Sequence, residues 1–185
     1  MDIDVAQRCL GEVDMHALRD AILAQEPAAW LEEQGRQQTY EVHRDTESIV
    51  LLFCDEAWPD GEIYRESGWE HLAETAMPVI EHIIEEHYEP GGTLLRAIAA
   101  KLKVNGRIRP HRDSLQSFHM GHRIHVPIIT NPAVRFMIEG RPYAFEVGKA
   151  YELNNQKKHS VMNMGKEDRI SFIFDYVPPG KASDE

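Results

Sequence analysis

The stretch "DRISFIFDYV" (168–177) decides the fold. Its residues alternate with period two. Ile170, Phe172, Phe174 and Tyr176 take one face, and Arg169 and Ser171 take the other. A strict two-residue alternation is the mark of a strand with one apolar face. The apolar face here is expected to pack against helices. The opposite face then points an arginine into the interior of a packed barrel. An unpaired buried charge is costly, so Arg169 requires an anionic partner. Its planar fork suits a carboxylate held by two hydrogen bonds, and the Ser171 hydroxyl two positions on adds another donor.

Working outward, residues from 92 onward read as a succession of short strands separated by turns: "TLLRAIAAKLKV", "HRIHVPIIT", "VRFMIEG", "RPYAFEVG", "KAYELNN", "KHSVMNMG". Such spacing predicts a β sandwich or barrel. Asn105-Gly106 is a strong hairpin-type turn signal. Upstream, residues 15–34 read as a helix interrupted by Pro27, and 48–55, "SIVLLFCD", as a buried strand. Residues 56–68 read as a loop. Residues 69–88 read as helical, with Pro78 kinking the segment or starting a second helix. The expected architecture is mainly β with N-terminal helices on one outer sheet face. It forms a single domain over 1–185, with a helix-rich support region (1–91) and a β core (92–177).

The composition is that of an ordinary globular protein, with 42% hydrophobic and 28% charged residues. A formal net charge of -11 argues against a general nucleic-acid binder. The basic residues Lys101, Lys103, Arg107, Arg109 and Arg112 read as a solvated edge. Cys9 and Cys54 lie far apart without metal-binding spacing. The acidic N-terminus lacks the apolar core of a secretory signal, and no apolar run reaches the roughly 18 residues of a membrane span. The expected location is the cytoplasm.

The chemistry gathers in "PHRDSLQSFHMGHRIHVPIITNP" (110–132). His111 and Asp113, two apart on a strand, share a face and offer two adjacent positions around a divalent ion. His159 opens a later strand, 48 positions on, and is the candidate third ligand. Two histidines and one carboxylate leave coordination positions open, the arrangement of non-haem Fe(II) oxygenases. Iron together with the inward Arg169 and Ser171 suggests a dicarboxylate co-substrate, chelating the metal at one end and gripped at the other. Arg123 and His125 form a second inward pair. They face either the metal-proximal carboxylate of that co-substrate or the prime substrate.

The ordered set "PHRD…HRIHVPIITNP…GKAYELNN…HSVMN…DRISFIFD" resembles the aspartyl/asparaginyl β-hydroxylase family over about residues 92–177. The resemblance implies a double-stranded β-helix (a jelly roll of cupin-like form) and a hydroxylase that uses Fe(II), 2-oxoglutarate and dioxygen. Succinate would be released by oxidative decarboxylation. It makes His111, Asp113 and His159 the catalytic metal ligands and Arg169 the clamp on the distal carboxylate of 2-oxoglutarate. Arg123 and His125 match an Arg-x-His pair near the co-substrate. Animal aspartyl hydroxylases carry glycine where this chain has Asp113, which places it nearer the members with a full triad. A serine that helps bind 2-oxoglutarate in some members falls at Ala100 here, and Ser171 is expected to take that role. The implied substrates are free amino acids, peptidyl Asp or Asn, or natural-product intermediates: a small-molecule or peptide partner, with no nucleic acid and no membrane.

Other readings are a cupin-type metalloenzyme without 2-oxoglutarate, or a non-catalytic β-barrel that binds a small acid. A buried Arg169 speaks against the first. The earlier "HRD" at 43–45 has no third ligand behind it and reads as a surface turn. His119 and His122 read as solvated loop histidines, and His82 and His87 as surface helix positions. Asn163 reads either as a residue orienting a metal ligand or as a polar strand end. Trp58 and Tyr64 read as loop anchors or as a substrate lid.

Overall fold

The computed structural model describes residues 1–33, 41 and 44–180. Among the described residues eleven strands and three α-helices follow one another: β1 (Gln7–Glu12), α1 (His16–Leu23), β2 (Thr46–Cys54), β3 (Ile63–Arg65), α2 (Gly68–His87), β4 (Thr93–Leu102), β5 (Arg107–His111), α3 (Gln116–Met120), β6 (His122–Ile129), β7 (Val134–Ile138), β8 (Arg141–Tyr143), β9 (Lys149–Leu153), β10 (His159–Asn163) and β11 (Arg169–Val177). They make two antiparallel sheets. The major sheet has the order β1-β9-β6-β11-β4-β2-β3, and the minor sheet β5-β10-β7-β8. Two facing sheets fed alternately by one chain form the jelly roll expected from the strand spacing.

The alternation of β11 is realised as read. Ile170, Phe172, Phe174 and Tyr176 join Leu18 and Ile22 of α1 and Leu72, Ala76 and Ile80 of α2 in one core between helices and sheet. Phe172 and Phe174 are fully buried, so truncating either to Ala costs about 3–5 kcal/mol. A smaller cluster between the sheets holds Leu102, Phe136, Ile138, Phe145, Tyr151, Leu153 and Val161. The two sheets thus sandwich a thin apolar layer that becomes polar around the inner faces of β6 and β11.

Several expectations shift. Helix α1 ends at Leu23, well before Pro27, and a 3-10 turn follows at Ala29–Leu31; Gln34 lies outside the described residues. Pro78 neither splits nor starts a helix. It is carried inside the continuous 20-residue α2, which forgoes one backbone hydrogen bond there. The major sheet is not confined to residues 92–177, because β1, β2 and β3 all precede that segment. Within 56–68, Ile63–Arg65 pairs with β2 as an edge strand. Asn105-Gly106 turns the chain (φ of Asn105 is 62°) but makes no hairpin, since β4 and β5 belong to different sheets. The tight hairpin lies at Glu139-Gly140, with φ of 48° and 76°. This is the left-handed pair that a two-residue turn between twisted strands requires. No helix among the described residues is long and apolar enough to cross a membrane.

Candidate metal centre

His111 faces the barrel interior because of a β-bulge. Strand β5 pairs with β10 through Val161↔Ile108 and His159↔His111, so three steps on β5 oppose two on β10. Plain alternation from Ile108, which packs inward, would put His111 on the outer face with the exposed Arg107 and Arg109. The extra residue flips that parity and turns the imidazole inward, a common use of bulges beside active sites. His159 needs no such device: Val161 and Asn163 follow it on the buried face of β10.

One ligand atom each from His111, Asp113 and His159 lies within 4.8 Å of the others. His111 Nε2 is 3.7 Å from Asp113 Oδ1, and the two imidazole centroids are 4.4 Å apart. His111 Nδ1 sits 2.7 Å from the Arg109 carbonyl oxygen and His159 Nδ1 3.0 Å from that of Lys157. A carbonyl only accepts, so each Nδ1 carries the proton and each Nε2 offers its lone pair to the shared space. Burial lowers the His159 pKa and keeps that ring in the neutral form a metal needs. Asp113 is fixed from both ends: its backbone N–H donates to Asn155 O at 3.2 Å, and its Oδ2 accepts from Arg123 Nη1 at 2.5 Å. Asp113 lies not on β5, which ends at His111, but in the loop after it, so the donor set of two imidazole nitrogens and one carboxylate oxygen comes from the ends of β5 and β10 and that loop; it suits a divalent first-row metal such as iron.

Arg123 is engaged by two carboxylates. Its Nε and Nη2 donate to Asp175 Oδ1 and Oδ2, both at 2.8 Å, while Nη1 holds Asp113. Burial works against its charge, but Asp113 and Asp175 outweigh it and hold the guanidinium above its usual range. Asp175 is drawn the other way: burial opposes ionisation, yet Arg123 and Arg96 bring it down to about 2.

Three further side chains, on β6 and β11, carry buried polar atoms without partners. Arg169 Nη2, Ser171 Oγ and both ring nitrogens of His125 are buried with no hydrogen-bond partner among the described residues. Arg169 is only 4% exposed, no carboxylate among the described residues pairs with it, and burial lowers its pKa to about 10. Burial, reinforced by Arg169 and Arg123, pushes His125 well below the usual histidine range, so it stays neutral. Buried polar atoms are nearly always satisfied in folded proteins, and a set of orphans that contains a cation is one that an anionic ligand would satisfy. Arg169 also lines a cavity of about 690 Å³ together with Phe136, Tyr143, Phe145 and Val147; His111, Asp113 and His159 do not line it.

Some sequence readings end elsewhere. His122 is not a solvated loop histidine: its Nδ1 lies 2.5 Å from the buried Glu152, which also accepts from Arg8. His119, His82 and His87 are exposed. Asn163 is a structural strand end. It donates to the carbonyls of Leu102, Lys103 and Glu167 and does not touch the histidine ligands. Trp58 is buried with Cys54, Leu95 and Val177 and anchors its loop, whereas Tyr64 is exposed. Of the first HRD, His43 lies outside the described residues; Arg44 and Asp45 sit in a turn, and Asp45 accepts the Arg107 amide at 2.9 Å. Sequence reasoning missed Asp175, Arg96 and Ser117. Asp175 was legible in principle, since it shares the inward parity of Arg169 and Ser171.

A double-stranded β-helix with a two-histidine, one-carboxylate face defines the structural class of the non-haem Fe(II) oxygenases. The family model of aspartyl/asparaginyl beta-hydroxylases matches residues 17–179, and the chain belongs to that family of Fe(II)- and 2-oxoglutarate-dependent hydroxylases. The match begins well before residue 92, so the helical first half is part of the family unit. No curated protein matches the chain in sequence. Among solved structures, the fold is similar to an oxidoreductase of the 2OG-Fe(II) oxygenase family from Burkholderia pseudomallei. The two share 13% identity and a TM-score of 0.55 over 71% of this chain and 67% of that one. It is similar to a Pseudomonas putida prolyl-4-hydroxylase at 16% identity and a TM-score of 0.51, covering 96% and 95% of the two chains. A viral collagen prolyl hydroxylase from Paramecium Bursaria Chlorella virus-1 shares 9% identity and a TM-score of 0.56 over 95% and 97%. At these identities the likeness speaks for the fold alone.

Proposed function

We propose that the protein hydroxylates an sp³ carbon of an amino acid, a peptidyl Asp or Asn, or a natural-product intermediate, coupled to oxidative decarboxylation of 2-oxoglutarate to succinate. The observation that carries this reading is the pairing of two features. One ligand atom each of His111, Asp113 and His159 converges within 4.8 Å, and Arg169, Ser171 and His125 of β11 and β6 carry buried polar atoms without partners among the described residues. The first set suits Fe(II) and the second a dicarboxylate.

Iron with bound 2-oxoglutarate and dioxygen supplies the oxidising chemistry. The chain does the rest. His111 and His159 present neutral Nε2 atoms, held in place by their Nδ1 bonds to backbone carbonyls. Asp113 presents Oδ1 while Arg123 holds Oδ2. Arg169 grips the distal carboxylate of the co-substrate, and Ser171, opposite Ala100 in the β11–β4 register, donates the hydroxyl that the residue at 100 lacks. His125 and the N–H groups of Arg123 not used by the aspartates face the carboxylate nearer the metal. The apolar walls of Phe136 and Phe145 exclude water, which strengthens each of these contacts.

Fe(II) and 2-oxoglutarate added to the protein without oxygen should give a weak visible metal-to-ligand absorption band. Its absence in folded protein overturns the reading. Succinate release stimulated by individual amino acids and peptides then identifies the substrate.

A further inference from the structure

We propose that Asp175 is a positioning residue of the metal centre, fixing both the carboxylate of Asp113 and the segment that carries it. The inference rests on the metal reading above. Asp175 is 2% exposed and lies at the hub of a group of four charges, with Arg96 and Asp113 buried like it and Arg123 half-buried. One arm runs through Arg123, held at both Asp175 oxygens at 2.8 Å, to Asp113 Oδ2 at 2.5 Å. With three of its five N–H groups locked by the two aspartates, this guanidinium cannot swing, and Asp113 is left to present Oδ1 toward His111. The other arm runs from Asp175 Oδ2 to Arg96 Nη1 at 3.3 Å, and from Arg96 Nη2 to Ser117 Oγ at 2.8 Å. Ser117 follows Asp113 by four residues. Its neighbour Phe118 stacks under both cations, with Arg96 4.2 Å and Arg123 4.4 Å from the ring centroid. The same carboxylate therefore anchors the ligand's side chain and the start of α3 behind it.

The charges explain why a second aspartate is needed. Arg123 alone beside Asp113 would form a closed ion pair, competing with a metal for the ligand. Asp175 shares the guanidinium, so Asp113 keeps one oxygen for the metal while Arg96 balances the added negative charge. Partners of this kind, one step removed from the ligands, typically govern metal affinity by roughly 10- to 100-fold.

The test is cobalt(II) binding to the metal-free protein, followed by calorimetry and by the cobalt visible spectrum, without turnover. Asp175→Asn keeps the shape and removes the charge, and should weaken cobalt binding by roughly 10- to 100-fold. In an Asp113→Ala background the same change should leave the residual affinity unmoved, because the arm has lost its end. An Asp175→Asn affinity equal to wild type, or an equal loss in both backgrounds, overturns the inference. If Asp175→Asn does not fold, Ser117→Ala carries the test: a smaller weakening in the same direction supports the second arm, and an unchanged affinity overturns it. A wild-type protein that binds no cobalt(II) refutes the metal reading itself, a separate failure.

Discussion

Replacing Arg169 by methionine should make the ligand-free protein more stable. The guanidinium is buried with no carboxylate partner among the described residues, and burial brings its pKa from 12.5 to about 10. At about 1.4 kcal/mol per pH unit, holding that charge inside costs about 3 kcal/mol. The Phe136 ring, 5.7 Å from the guanidinium carbon, returns about 1 kcal/mol. About 2 kcal/mol remains as strain that only an anion relieves. Methionine keeps the apolar stem and drops the charge, so Arg169→Met should raise the melting temperature of metal-free protein by roughly 4–8 °C for a domain of this size. The ligand response should reverse. With Mn(II) present, 2-oxoglutarate at a hundredfold excess over its Kd should stabilise wild type by about 2.7 kcal/mol and the variant hardly at all. Thermal melts of both proteins, with and without the two ligands, decide the matter. A variant less stable than wild type when empty, or one that keeps the full 2-oxoglutarate shift, would refute the assignment of Arg169 as an anion clamp held at the expense of stability.

Asp113→Ala should weaken metal retention by roughly tenfold or more, read as cobalt(II) affinity; retained affinity and activity would place this chain with the family members that carry glycine there. Deleting Pro110 should replace the β5 bulge by regular pairing in which His111, now two steps from Ile108, still faces inward opposite His159, so cobalt(II) binding should survive; binding lost while circular dichroism still shows the sheets would show that strand parity alone does not set the ligand's direction. Asp175 has a folded pKa of about 2 against 3.8 in the unfolded chain, so its stabilisation is fully present above pH 3.8 and lost as pH falls through 2. At about 1.4 kcal/mol per pH unit this is roughly 2 kcal/mol. The gap in unfolding free energy between wild type and Asp175→Asn should therefore close between about pH 4 and pH 2, and a gap independent of pH would contradict the ionised role.

How much of this was legible in the sequence depends on how local the cause is. The inward set on β11 could be read because strand parity is a local property: Arg169 and Ser171 alternate with aromatics that must meet the helices. His159 could be read because it opens an apolar strand. Reading His111 and Asp113 as a simple pair two apart reached the right residues for an incomplete reason. Alternation carried back from Ile108 points His111 outward, and only the pairing with β10 reveals the bulge that corrects it. Asn105-Gly106 misled in the same manner. A turn signal fixes the reversal of the chain but not which sheet receives the next strand, and here the chain crosses over. Asp175 shares the inward parity of Arg169 and Ser171, but parity gives only a direction; that this charge and Arg96 are buried shows only through their pairing. Asp175 meets Arg96 of β4, 79 residues away, and Arg123 of β6, while Arg96 meets Ser117 of α3.

The interior charges give the site its order. Asp113 and Asp175 offset Arg96 and Arg123, so that quartet is close to neutral before any ligand arrives. Arg169 is left as a net positive charge, and burial keeps the neighbouring His125 from adding another. On the proposed reading, a divalent ion at the triad raises the positive charge at the other end of the same barrel. A monoanion satisfies one end and leaves the other exposed to a low-dielectric interior, where uncompensated charge is most costly. A dianion of the right length relieves both at once. Metal and dicarboxylate therefore favour each other through charge alone, and linkage makes that preference mutual. Selectivity for a dicarboxylate over a simple 2-oxo acid follows from Arg169 having no partner of its own, and the stability sacrificed to keep it so is what the methionine variant should recover.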